Sequence, residues 1–150
     1  MKLEEAIQQE SFSDERIKAG INIYYTSSQL NYQHNLALKS FNLSLQQFNI
    51  LRILRGQKGV PIAMKDVSCR MIDKMSNASR LVEKLRLKGL IERTINEEDR
   101  RSVAIVITEA GMSVLEDASR EVEACVTDYL DGVQGKEIEM LNTILDKINE

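Results

Sequence analysis

Cysteine, histidine and proline are scarce in this chain, and their scarcity excludes several classes of protein. Of 150 residues, two are cysteine, one is histidine and one is proline. Cys69 and Cys125 are far apart, so they form neither a disulfide framework nor a set of metal ligands. His34 has no cysteine or carboxylate set near it, and we expect it on a helix surface or at an interface. With no glycine-rich phosphate loop either, we predict no catalytic site, no cofactor and no metal.

The chain also has little that suits a membrane or secretion. Residues 1–12 lack the apolar core of a signal peptide. Residues 20–38 carry no formal charge, but they include several amide side chains and the histidine, which are costly to place in lipid. We therefore expect a soluble, cytoplasmic protein that does not interact with a membrane.

The net charge of −3 hides an uneven distribution along the chain. Residues 65–101 hold ten basic and seven acidic side chains, whereas residues 102–150 hold three basic and eleven acidic ones. The acidity thus lies in the last third, and the middle of the chain is basic. Charge alone leaves two interpretations open, which are a solvated surface with an acidic tail and a basic surface for nucleic acid.

A helix-turn-helix is predicted over residues 64–88. Residues 64–71 favour a short helix, and apolar residues recur at helical spacing through residues 76–88, whose other faces are mostly polar and basic. Ser76 is placed to cap the second helix, and Gly89 to end it in the left-handed conformation. We call this second helix the reader helix.

A β-hairpin is predicted directly after the reader helix. Residues 90–95 and 102–108 are strand-like, the second segment being dense in β-branched side chains. Residues 96–101, Asn-Glu-Glu-Asp-Arg-Arg, are too polar to bury and predict a projecting tip. A helix with a basic polar face beside a hairpin tipped with arginines is typical of a winged-helix protein that binds nucleic acid.

The hairpin sequence resembles the wing of the multiple antibiotic resistance regulator (MarR) family. The family pattern is roughly Lys-Gly-Leu, a hydrophobic residue, any residue and Arg, then a polar turn, Asp-x-Arg, a strand and Leu-Thr-x-x-Gly. Lys88–Ile91, Arg93, Asp99–Arg101 and Thr108–Gly111 fill these positions, with Ile107 in place of leucine. The resemblance implies a mainly α fold with a small β-hairpin wing, in which a winged helix-turn-helix is joined to N- and C-terminal dimerisation helices.

We expect a single domain, with residues 14–43 and 109–150 as dimerisation helices and 44–108 as the DNA-binding region. Ser44 and Gln47 have the spacing of a capping box at the start of a helix. The outer helices carry more apolar surface than a lone winged helix can cover. This surplus supports a homodimer independently of the resemblance.

Eleven residues are predicted to contact double-stranded DNA. Asn77 and Arg80 are predicted to contact base edges in the major groove. An asparagine amide can form two hydrogen bonds with adenine, and an arginine guanidinium can form two with guanine. Arg101 matches a narrow minor groove, with Asp99 to orient it and Arg100 as the next candidate. The predicted contacts to phosphate come from basic and hydroxyl side chains, namely Lys65, Lys74, Ser76, Ser79, Lys84 and Arg86.

Members of the resembled family release DNA when a small aromatic or anionic ligand enters the crevice between the dimer helices and the winged helix. The candidates for such a crevice are Tyr24, Tyr25, Tyr32, Phe48 and Met112. Aromatic residues at helical spacing are also typical of a core, and both interpretations stay open.

The sequence therefore predicts a MarR-type transcriptional regulator, a repressor that binds a pseudo-palindromic operator as a homodimer. The alternative is a winged-helix adaptor that binds protein and not DNA. The basic middle and the Asp-x-Arg tip favour DNA. Cys125 is expected to be a buried, unreactive thiol, and the environment of Cys69 is left undecided.

Overall fold

The structure, a computed structural model, describes residues 1–95 and 103–150 of the chain. Within these residues it contains seven α-helices and one three-stranded antiparallel sheet. The elements are α1 (Leu3–Ile7), α2 (Glu15–Leu38), α3 (Leu45–Arg55), β1 (Ile62–Ala63), α4 (Met64–Arg70), α5 (Ala78–Leu87), β2 (Ile91–Ile95), β3 (Val103–Ile107), α6 (Glu109–Tyr129) and α7 (Gly135–Asn149). The predicted fold class, mainly α with a small hairpin wing, is confirmed.

The chain begins with a short helix, α1, which buries Leu3. Asp14 caps α2 by accepting the backbone N–H of Arg16 at 2.7 Å. The capping box at α3 is present as predicted, with both of its side chain to backbone hydrogen bonds, at 3.2 and 3.1 Å.

The three-stranded sheet contains the two strands of the wing, β2 and β3, and its third strand, β1, leads into α4. Strand β3 lies in the middle, with β1 on one side and β2 on the other. Ile105 of β3 pairs with Ile62 of β1, and Ile107 pairs with Ile91 of β2. Ile91 and Ile105 are almost fully buried and belong to the hydrophobic core. The sheet thus contributes one face to the core.

One hydrophobic core holds the reader helix in place. Helix α5, the predicted reader helix, packs against α3, α4 and β2. Its side chains Val82 and Leu85 are fully buried in a cluster with residues of α3, α4, β3 and α6. The orientation of the polar face of α5 is therefore fixed by the packing of its apolar face.

The outer helices differ in how much of their apolar surface the chain covers. Helix α2 packs along α6, and α6 buries Leu115 and Ala118 in the core. Helix α7 has no buried residue, and its apolar side chains are widely exposed. No helix in the described part of the chain is long and apolar enough to span a membrane.

Candidate nucleic-acid interface

The structure corrects the predicted start of the reader helix. Asn77, not Ser76, is its N-cap, since the Asn77 side-chain oxygen accepts the backbone N–H of Arg80 at 3.0 Å. The Ser76 hydroxyl instead donates to the Asp73 carboxylate at 2.8 Å. Asparagine caps a helix at least as well as serine, and Asp73 offers the hydroxyl a charged acceptor. The Asn77 oxygen is thus engaged within the helix, and only the amide NH₂ group remains to donate to a ligand.

The turn between α4 and α5 is fixed by polar groups that sequence reasoning missed. The side-chain oxygen of Asn49, on α3, accepts the backbone N–H of Ile72 at 3.0 Å. Asp73 accepts the backbone N–H of Met75 at 3.0 Å. Hydrogen bonds from Ser76 and then from the Met75 backbone hold the pKa of Asp73 below its usual value. The role of Asp73 in the turn could have been predicted from the neighbouring residues. The role of Asn49 could not, because its hydrogen-bond partner is 23 residues away.

The polar face of α5 presents hydroxyl, guanidinium and ammonium groups to solvent. Ser79, Arg80 and Lys84 are all exposed, on the side of the helix away from its buried stripe. Lys65, at the start of α4, is exposed as well. Within the described residues, none of these three cations forms an ion pair with a carboxylate. They are accessible to an anionic ligand without breaking an existing pair.

Two other predicted phosphate contacts are engaged inside the chain. The ammonium group of Lys74 donates to the backbone carbonyl of Cys69 at 2.5 Å, near the C-terminal end of α4. This bond satisfies a carbonyl that the helix leaves without a partner, and a cation is favourable at that end of a helix. Arg86 is paired with Glu83 through its Nη2 group at 2.8 Å. The structure therefore shows neither cation free.

Glu83 joins the reader helix to the first strand of the wing. Its two carboxylate oxygens bind two arginines, Arg86 at 2.8 Å and Arg93 of β2 at 2.9 Å. The Arg86 Nε group lies at 3.2 and 3.3 Å from the same carboxylate. The hydrogen bond from Arg86 is the main cause that lowers the pKa of Glu83, and it raises that of Arg86. The Glu83–Arg86 pair could have been predicted, because residues three apart on a helix are neighbours. The bond from Arg93 could not, because it depends on how the strand packs against the helix.

The joint between the wing and α6 explains the Thr-x-x-Gly part of the motif. The Thr108 hydroxyl caps α6 by accepting the backbone N–H of Gly111 at 3.0 Å, and it donates to the carbonyl of Gly89 at 2.8 Å. Gly89 has the predicted left-handed backbone, with φ of +70°. A Cβ atom at Gly111 would lie 2.1 Å from the carbonyl oxygen of Leu90. Both glycines are thus required by backbone geometry.

The predicted minor-groove residues Asp99, Arg100 and Arg101 lie outside the described residues. Their predicted contacts stay predictions that rest on the family resemblance. The described strands β2 and β3 that precede and follow this segment pair in register from Ile91 with Ile107 to Ile95 with Val103.

The five candidates for a ligand crevice have different environments in the single chain. Phe48 belongs to the core and is 4% exposed, whereas Tyr24 and Tyr32 on α2 are 79% and 60% exposed. Tyr25 is half-buried, and Met112 is 41% exposed. None of the five lines the groove of about 630 Å³ that the structure shows between α2, α3 and α5.

That groove is lined mainly by polar and basic side chains. Lys88 lies in it with its ammonium group 3.3 Å from the side-chain oxygen of Gln47. Burial, followed by repulsion from Lys84, lowers the pKa of Lys88. Lys39 is the third lysine of the lining. Sequence reasoning did not find this groove, since its residues come from three helices separated along the chain.

Comparisons with known proteins agree with the fold. A model of the MarR family matches residues 43–103. The transcriptional repressor MprA of Escherichia coli strain K12 is 26% identical over 124 residues, which are 83% of this chain and 70% of that protein.

Two solved structures are similar over almost the whole chain. A mutant of E. coli MarR complexed with operator DNA has a TM-score of 0.80 and 20% identity, and the match covers 92% of this chain and 98% of that one. The organohalide-sensing RdhR-CbdbA1625 regulator in its 2,4-dichlorophenol-bound form has a TM-score of 0.81 and 21% identity, with coverage of 90% and 79%.

Proposed function

We propose that this chain is a transcriptional regulator of the MarR family, which binds double-stranded DNA as a homodimer and represses transcription from a pseudo-palindromic operator. One observation carries the proposal: the reader helix is held by its buried stripe and presents an exposed, cationic face. A helix-turn-helix protein places such a helix in the major groove. The named regulators among the similar proteins support this function over the adaptor alternative.

The proposed base contacts come from the exposed face of α5. Arg80 is the best candidate, because its guanidinium group is exposed and can bond both acceptors of a guanine. Asn77 can still donate through its amide NH₂ group. We expect Ser79, Lys84 and Lys65 to contact phosphates and the wing-tip residues 99–101 to contact the minor groove.

A homodimer is proposed because the outer helices lack a cover. On α7, Met140, Leu141, Ile144 and Ile148 are between 42% and 65% exposed. A symmetric pair of chains would bury these side chains, and a closed pair is the commonest assembly of soluble proteins. The two reader helices would then meet half-sites about one helical turn apart.

A small aromatic or anionic effector is part of the proposal. The ligand-bound RdhR-CbdbA1625 structure, which holds a chlorinated phenol, supports an effector of this class. Such a ligand can release DNA only if it binds better to a dimer whose reader helices do not match the operator spacing. The exposed Tyr24, Tyr32 and Met112 are available to a crevice that forms between two chains. The proposal implies that the protein acts in the cytoplasm.

The proposal is tested by measuring duplex binding across a salt series, first with random DNA and then with fragments selected from it. We expect salt-dependent binding and a selected palindromic sequence. Arg80→Ala should weaken binding to the selected site by about 1–3 kcal/mol and relax its sequence preference. Arg120→Ala, which removes the same charge from α6 where Arg120 is 67% exposed, is the control. No retention of any duplex at low salt would favour the adaptor.

A further inference from the structure

The Glu83 carboxylate binds two arginines, one on the reader helix and one on strand β2 of the wing. Arg86 binds it through Nε and Nη2, and Arg93 through Nη2. The three side chains are between 38% and 43% exposed, so solvent and ligands can reach them. A carboxylate between two guanidinium groups leaves the cluster a net charge of +1, where two free arginines would have +2.

We propose that Glu83 restrains Arg86 and Arg93 from binding phosphates and thereby limits the affinity of this protein for DNA of any sequence. This inference rests on the proposed DNA binding. Glu83 is a positioning residue, because it acts through the arginines and not by touching DNA itself.

The affinity of a protein for DNA of any sequence comes from its cationic side chains. Arginines and lysines that neutralise phosphates supply almost all of it, through release of counterions. Arg80 and Lys84 can make such contacts directly, because they have no ion-pair partner among the described residues. Arg86 and Arg93 would first have to leave the Glu83 carboxylate. A phosphate could therefore bind Arg86 or Arg93 only if the ion pair of that arginine with Glu83 breaks.

Specificity follows from the same restraint. Base contacts distinguish sequences, whereas phosphate contacts do not. A protein that must find its operator among many other sites depends on the ratio of specific to non-specific affinity. By withholding two cations from the sequence-independent part of binding, Glu83 raises that ratio without making a base contact.

The test compares Glu83→Gln with Glu92→Gln. Both substitutions raise the net charge by one, but Glu92 is exposed on β2 and pairs with none of the described cations. We expect random duplex to bind the Glu83 variant with a steeper salt dependence than it binds wild type. The slope of log affinity against log salt concentration should increase in magnitude by up to about 1.8, which corresponds to two added phosphate contacts. Its affinity should then fall about tenfold more than that of wild type between 50 and 200 mM salt. The ratio of selected to random affinity should fall.

Two further measurements separate this restraint from a purely structural one. Glu83→Gln combined with Arg86→Gln should lose about half of the added slope. Elution from a heparin column, which needs no recognition of duplex, should occur at higher salt for Glu83→Gln than for Glu92→Gln. Circular dichroism and a melting curve establish that each variant is folded.

The outcomes are distinct. Equal salt slopes for Glu83→Gln, Glu92→Gln and wild type, or a loss of both specific and random affinity in a folded Glu83→Gln protein, would overturn the inference. If wild type binds no duplex at any salt, the proposed function fails, and the heparin elution still decides whether Glu83 restrains the arginines.

Discussion

Helices α5 and α7 carry the same kind of apolar stripe, but the chain covers only one of them. In α5, Val82 and Leu85 are 0% exposed, whereas Met140 and Ile144 on α7 are 65% and 50% exposed. Helical periodicity predicts that a face will be covered, because apolar area is removed from water at a gain of about 25 cal/mol per Å². It does not say whether the cover comes from the same chain. The winged helix is therefore covered within one chain, whereas α7 is not.

A charge introduced into the exposed apolar stripe of α7 should have the largest effect. Leu141→Asp should weaken the dimer by about 3 kcal/mol or more, roughly a hundredfold in Kd, since an interface would bury a carboxylate without a partner. The monomer should keep its fold, because Leu141 is 42% exposed in the single chain. Light scattering after gel filtration measures the assembly, and the duplex titration measures the loss of binding that should accompany it.

The control for this substitution is Asn142→Asp, which adds the same charge at the next, exposed position of α7. It should leave the dimer intact. If both variants stay dimeric, α7 does not form the interface, and its apolar side chains need another cover.

A second effect concerns the joint between the wing and α6. Gly111→Ala should lower the free energy of unfolding by about 1–3 kcal/mol, the range for overpacking in a fitted core. The new methyl group would clash with the Leu90 backbone carbonyl, at 2.1 Å, and with the Ile107 side chain, at 2.8 Å. Urea unfolding measures this change. Gly132→Ala, in the turn before α7 with open space around its Cβ position, should have little effect.

Local rules accounted for most of the fold. The Ser44 capping box and the left-handed Gly89 each depend on residues at most four positions apart, and each is present as predicted. Ser76 is not the cap of α5, because Asn77 takes the N-cap position and the Ser76 hydroxyl donates to Asp73 instead.

The candidate interface was less predictable, because its restraints join distant parts of the sequence. Glu83 reaches Arg93 on the next element, and Asn49 reaches Ile72 from another helix. Sequence patterns locate cations, but only the fold shows which of them are already paired. The apolar stripe of α7 could be predicted, because helical periodicity is a property of the α7 sequence alone.

A third effect tests how the winged helix holds its own turn. Asn49→Ala should lower stability by about 1 kcal/mol, because the backbone N–H of Ile72 loses its acceptor. Affinity for duplex should fall by more than stability does, since the turn sets the start of the reader helix. Chemical unfolding and a duplex titration at fixed salt give the two values. Asn35→Ala, which removes an exposed amide bonded to the Asn31 carbonyl on α2, is the control. Equal, small losses in both variants would show that the Asn49 bond does not position α5.

The smallest effect concerns His34 on α2, the outer helix that packs along α6. His34 follows Leu30 and precedes Leu38 at four-residue spacing, and neither of its ring nitrogens has a hydrogen-bond partner among the described residues. Burial lowers the pKa of His34 from its ordinary value of 6.5. The unfolded chain therefore binds this proton more readily than the folded one, so that the stability due to neutral His34 is complete above pH 6.5 and is lost as the pH falls below it.

His34→Leu should remove this pH dependence, because leucine continues the apolar stripe and does not titrate. Urea unfolding at pH 7.5 and pH 5.5 should show a larger decrease in unfolding free energy for wild type than for the variant. Carboxylates titrate mainly at lower pH and are the same in both proteins, so the difference between the two decreases isolates His34. Equal decreases would show that burial in the folded protein does not shift the titration of His34.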